Sequence, residues 1–182
     1  MFIMTGSEAL LRERRKEVKA LMKKARALAV ALLVLIAFSQ NIHAVPPATL
    51  VSDLLAKTGL NYSPYEGQDN LWTLTYVGLE NIESLDLYVW ARESGYVTIY
   101  TTIFSLEEEP SKSFLWRLLE LNDAMLGLKY VIWEDPEEKG VYLVDCQIDL
   151  SLTAIDANEL KEAIEELVVN VDENYPELEA LL

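Results

Sequence analysis

Between Pro46 and Lys57 the apolar residues Leu50, Val51, Leu54 and Leu55 recur at helical spacing, and Gly59 ends the run, which predicts a first helix. Asn61 to Asn70 carries Pro64 and Gly67 and reads as a loop. The period then drops to two. Leu71–Val77, Ile82–Arg92 and Gly95–Phe104 alternate apolar and polar positions and are rich in aromatic and β-branched residues, so each is expected to be a strand. Their connections, Gly78-Leu79-Glu80-Asn81 and Glu93-Ser94-Gly95, are short, which makes the three strands antiparallel neighbours. A second helix is expected from about Pro110 to Leu126, with Leu115, Leu118, Leu119, Asn122 and Leu126 as its stripe and Gly127 as its stop. Tyr130–Glu134 and Val141–Leu150 form a hairpin around Asp135–Gly140. The last helix starts near Asp156, with Glu159 three residues on as an approximate capping box, buries Leu160, Ala163, Ile164, Leu167, Val168 and Val171, and is closed by Pro176. The order α-β-β-β-α-β-β-α predicts an α+β, two-layer domain, an antiparallel sheet with its helices on one side.

The stretch before this domain has another pattern. Lys23, Lys24 and Arg26 precede an apolar run from Ala27 to Phe38, followed by a polar segment ending at Ala44, just before Pro46 and Pro47. Residues 22–44 therefore read as a secretory signal peptide cleaved after Ala44. The apolar run is short for a membrane crossing, which needs about 20 residues. Export to the periplasm is the expectation, with an uncleaved anchor at residues 27–38 as the alternative. Residues 1–21 are either a long basic extension of that signal or sequence upstream of a start at Met22. Residues 45–182 form the single folded domain.

Charge narrows the partners. Val45–Leu182 holds 7 basic and 27 acidic residues, a net charge of −20. Such a surface repels phosphates and anionic head groups, so nucleic acid is excluded, and a membrane is reached only through the N-terminal signal if it stays uncleaved. Basic or neutral protein partners and cations remain. His43 is the only histidine and precedes the domain, so the domain has no imidazole for acid–base work or for a zinc site. Cys146 is the only cysteine, which rules out an internal disulfide. No cofactor or metal is expected.

Several phrases resemble the YbjN family, which has a proposed role in bacterial sensory transduction and a fold like that of type III secretion chaperones. They are Leu118-Leu119-Glu120-Leu121-Asn122, the strands Tyr130–Glu134 and Val141–Leu150, and Leu167–Leu178 with Asp172 and Tyr175. Leu50–Lys57 running into Gly59-Leu60-Asn61-Tyr62 is similar to the family's opening. The resemblance spans nearly all of Val45–Leu178. It implies this fold and a protein-binding, chaperone-like or regulatory role, and brings no chemistry. The export signal departs from a regulator acting inside the cell.

If Leu85, Leu87 and Val89 point inward, Tyr88 and Trp90 point outward. By the same alternation Tyr96, Tyr100 and Phe104 share that face with Thr98 and Thr102. Aromatics flanked by threonines suit a peptide or a second subunit, because they bury much area at little entropic cost. The acidic runs Glu107-Glu108-Glu109 and Asp135 with Glu137 and Glu138 read as solvated surface. Asn122, a polar break in an apolar stripe, is expected to satisfy a backbone group, and Cys146 to be an inert core thiol. The reading is an exported, non-enzymatic protein- or peptide-binding module using the outer sheet face or a sheet edge. One alternative is a carboxylate-based hydrolase or cation-dependent enzyme, which requires a pocket gathering two of Asp86, Asp135, Asp145 and Glu107. The other is a homodimeric structural module.

Overall fold

The computed structural model describes residues 45–182, so the signal peptide, the anchor alternative and the cleavage at Ala44 lie outside the described residues. Helix α1 (Pro47–Thr58) begins with a proline whose missing N–H costs nothing in the first turn, and ends at Gly59 in the left-handed conformation (φ 74°). Strands β1 (Ser63–Pro64), β2 (Leu71–Val77), β3 (Ser84–Ala91) and β4 (Tyr96–Leu106) follow. Helix α2 (Lys112–Ala124) is capped by Ser111, whose side chain accepts from Phe114 N. Strands β5 (Leu128–Glu134) and β6 (Tyr142–Ser151) lead to α3 (Ala157–Glu179). The six strands form one antiparallel sheet in the order β1-β2-β3-β4-β6-β5. The predicted architecture is therefore the observed one, with β1 added inside the expected loop. Pro64 is tolerated there because β1 lies at the sheet edge.

One sheet face builds the core. Leu74 of β2, Leu87 and Val89 of β3, Val97 and Ile99 of β4 and Val144 and Cys146 of β6 are buried in one cluster with residues of all three helices. Each large side chain buried there contributes about 1.5–3 kcal/mol. From α3 come Leu160, Ala163, Ile164, Leu167, Val168 and Val171, the stripe the sequence predicts, and the Asp156–Glu159 capping box is complete. Cys146 is buried in this cluster, as expected of a core thiol. Among the described residues no helix is long and apolar enough to cross a membrane.

Three expectations are corrected. Phe104 does not share the outer face. Thr102 faces Asp145 on β6 and Phe104 faces Val144, so Ile103 is an extra residue in a β-bulge and the alternation flips. Phe104 is thereby turned into the core, stacked on Tyr175 and edge-on to Phe114.

Helix α2 is rotated from the predicted stripe. It buries Phe114, Leu118 and Leu121, while Leu115 is partly exposed and Leu119 and Leu126 are 60% and 98% exposed. Both sets of residues have helical spacing, and the observed rotation puts the larger Phe114 against the sheet.

Pro176 does not close α3, which runs three residues further, to Glu179. A proline inside a helix leaves the carbonyl four residues earlier without its donor. Here that carbonyl, of Asp172, accepts from Asn81 Nδ2 at 3.0 Å.

Candidate functional site

Among the described residues the other sheet face carries no helix, and its side chains follow from the strand registers. Tyr88 of β3 lies opposite Tyr100 of β4, which lies opposite Gln147 of β6, which lies opposite Lys129 of β5. A second row runs from Leu71 through Trp90 and Thr98 to Asp149. The predicted residues Tyr88, Trp90, Tyr96 and Tyr100 are thus together on one face. Tyr88 and Tyr100 stack with ring centroids 5.1 Å apart, and Tyr65, from the segment after β1, meets Tyr88 edge-on at 6.0 Å. Trp90 is 36% exposed and Tyr96, at the hairpin end, 47%. Burial, then the neighbouring Tyr88 and Asp145, push the Tyr100 hydroxyl above its ordinary range.

Two residues that the sequence reading left out complete this face. Trp133, on β5, is 41% exposed. Arg92, at the β3–β4 turn, places its guanidinium 4.4 Å from the Trp90 ring centroid. The same alternation that puts Tyr130 inward puts Trp133 outward, but β5 joins this face only through its pairing with β6. Trp90 and Trp133 border a hollow of about 250 Å³, with Tyr100, Thr98 and Gln147 in its lining.

Hydrogen bonds fix the floor of the hollow. Arg92 Nε donates to Thr98 Oγ1 at 2.6 Å, and Thr98 Oγ1 donates to Asp149 Oδ1 at 2.6 Å. The carboxylate of Asp145 accepts from Trp133 Nε1 at 2.6 Å and from Thr102 Oγ1 at 2.7 Å. Asp145 is 5% exposed, so these two donors offset part of the cost of burying a charge. The indole of Trp133 is held in place by the same bond.

Asp86 borders a cleft with Thr102, Ile103 and Tyr175, and Glu107 a groove beside Leu181 and Leu182. Asp135 lies in the β5–β6 turn, where Oδ1 accepts from Glu137 N. Thr102 lines the cleft of Asp86 and also donates to Asp145, so these two carboxylates flank one threonine of the outer face, while Glu107 and Asp135 lie elsewhere. Among the described residues no cluster of His, Cys, Asp and Glu is suited to a metal ion. Asn122 holds the start of β5: its Nδ2 donates to Tyr130 O at 2.9 Å and its Oδ1 accepts from Tyr130 N at 2.7 Å. That is the structural role the sequence suggests.

Among the described residues, fold and site define an α+β domain with one helix-covered sheet face and one aromatic face that no helix covers. The architecture is that of YbjN from E. coli, a proposed transcription regulator, whose crystal structure matches with a TM-score of 0.53 at 12% sequence identity, over 75% of this chain and 94% of that one. The chain thus has a YbjN-like fold. No family model matches the sequence. No curated protein matches it either.

Proposed function

We propose that the chain is an exported, non-enzymatic module that binds a protein or peptide on the open face of its sheet. The observation that carries this reading is the grouping of Tyr88, Trp90, Tyr96, Tyr100 and Trp133 on the sheet face opposite the helices. Such rings bury large area on binding and lose little rotamer entropy, while the exposed Thr102 and Asp149 beside them offer acceptors to a partner. The net charge of −20 over residues 45–182 favours encounter with a basic partner, an effect that weakens as salt is added. The basic and apolar pattern of residues 22–44 supports export to the periplasm.

The proposed regulatory role of the E. coli protein is compatible with this reading only through contact between proteins. A domain with a net charge of −20 repels nucleic-acid phosphates. The type III secretion chaperone-like fold implied by the family resemblance likewise favours polypeptide over small-molecule partners. Carbene footprinting of the chain in an envelope extract tests the assignment. Labelling of Trp90, Tyr96 and Trp133 is expected to fall several-fold relative to the purified chain, while labelling of Trp116 on α2 stays unchanged. Protection of Trp116 alone would move the interface to the helical side.

A further inference from the structure

The hollow between Trp90 and Trp133 has a chemistry more specific than an aromatic surface. Its deepest charged group is Asp145, whose residue is 5% exposed and whose two oxygens each accept one hydrogen bond from a neutral donor. The ion pairs among the described residues involve Arg117 and Lys161, not Asp145. A buried carboxylate in this position is stabilised further by any cation that reaches it. Around it stand Trp90, Tyr100 and Trp133, whose ring faces attract positive charge. The protein already shows that this place accepts a cation, because the Arg92 guanidinium lies over the Trp90 ring at 4.4 Å. Arg92 itself is committed to Thr98 through Nε, on the Asp149 side of the hollow.

Resting on the reading of this face as a binding surface, we infer that the hollow receives one basic side chain, Lys or Arg, of an extended partner segment. The ammonium or guanidinium lies against the indoles of Trp90 and Trp133, with the Asp145 carboxylate as its counter-charge and Gln147 as a further acceptor. Lys and Arg stems are apolar along their length and suit the aromatic walls, while the charged head reaches the floor. The excess of 27 acidic over 7 basic residues acts in the same direction at long range. Arg92 is the opposing element. It places a positive charge at the rim and thereby limits the affinity for a second one.

The test uses the purified full chain and four capped pentapeptides, Thr-Val-X-Val-Thr, with X lysine, arginine, norleucine or glutamate. Binding is read from the indole N–H resonances of Trp90 and Trp133. The lysine and arginine peptides are expected to bind about ten-fold more tightly than the norleucine peptide. Arg92→Gln should strengthen that binding several-fold, and Asp145→Asn should abolish the preference for the basic peptides. Arg92 is half-buried at a turn and outside the core cluster, so Arg92→Gln remains informative even if Asp145→Asn loosens the fold. Preference for glutamate, with loss of binding in Arg92→Gln, would overturn the inference and make the hollow an anion site. Equal binding of all four peptides, lost in Trp90→Ala with Tyr100→Ala, would overturn it while leaving the aromatic face as the binding surface. No indole response to any peptide would also overturn it, and the wider reading would then stand or fall on partner capture by the same face.

Discussion

Asn81 and Asp172, from the β2–β3 connection and from α3, are joined by two hydrogen bonds, both donated by Asn81. Asn81 N donates to Asp172 Oδ1 at 2.9 Å, and Asn81 Nδ2 donates to the Asp172 carbonyl at 3.0 Å. The same carboxylate also accepts from Glu80 N at 3.1 Å and Ile82 N at 2.9 Å. One side chain thus closes three backbone donors of a loop onto the helix. Asp172→Ala strands all three and is expected to lower stability by about 3–5 kcal/mol, measured by urea denaturation. A loss under about 1 kcal/mol would mean that water serves the loop equally well.

Because Pro176 lacks an N–H, the Asp172 carbonyl depends on Asn81 for its bond. Asn81→Ala should therefore cost about 1–2 kcal/mol in the natural chain and less when Pro176→Ala restores the helical donor. A double-mutant cycle measures the coupling, expected to be about 0.5–1 kcal/mol. Zero coupling would show that the proline and the loop are independent.

The rotation of α2 separates two adjacent leucines. Leu118 is buried at 4% exposure and Leu119 is 60% exposed. Leu118→Ala is expected to cost about 2–4 kcal/mol and Leu119→Ser less than about 0.5 kcal/mol, by the same denaturation assay. The reverse order would restore the stripe that the sequence alone suggests.

Burial pushes both the Cys146 thiol and the Tyr130 hydroxyl well above their ordinary values of 9.0 and 10.0. The folded protein then keeps protons that the unfolded chain gives up. The stabilisation is complete below pH 9 and declines above it, first through Cys146 and above pH 10 through Tyr130 as well, by about 1.4 kcal/mol per pH unit for each group. Denaturation curves between pH 7 and 10.5 check the sign, and Cys146→Ala should remove the first part of the slope. The buried thiol is also expected to react with a thiol reagent only at the rate of unfolding.

Element order and fold are legible in the sequence because a helical period at Leu160–Val171 and a two-residue period at Leu85–Val89 each bury one side, and short connections force antiparallel neighbours. Four of the five aromatic candidates follow from that alternation alone. Phe104 does not, because one inserted residue, Ile103, reverses the face, and no local pattern marks a bulge. The α2 stripe is equally ambiguous, since Leu115 and Leu119 repeat at the same spacing as Phe114 and Leu118, and only the sheet decides between them. Trp133 and Arg92 escape notice for a third reason. Their partners, Asp145 and Trp90 with Thr98, are set by strand pairing across the sheet and by a tight turn, which periodicity does not encode.

Binding by the open sheet face is what we propose for this domain. Its most direct test is quantitative capture from an envelope extract with three baits: the natural chain, Trp90→Ala with Tyr100→Ala, and Leu119→Ser, each first shown to be folded. The natural chain and Leu119→Ser should retain the same stoichiometric partner, and the aromatic double variant should lose at least about nine-tenths of it, as expected when two central aromatic anchors are removed. Undiminished capture by the double variant, or loss confined to Leu119→Ser, would contradict the account and place the interface on the helices.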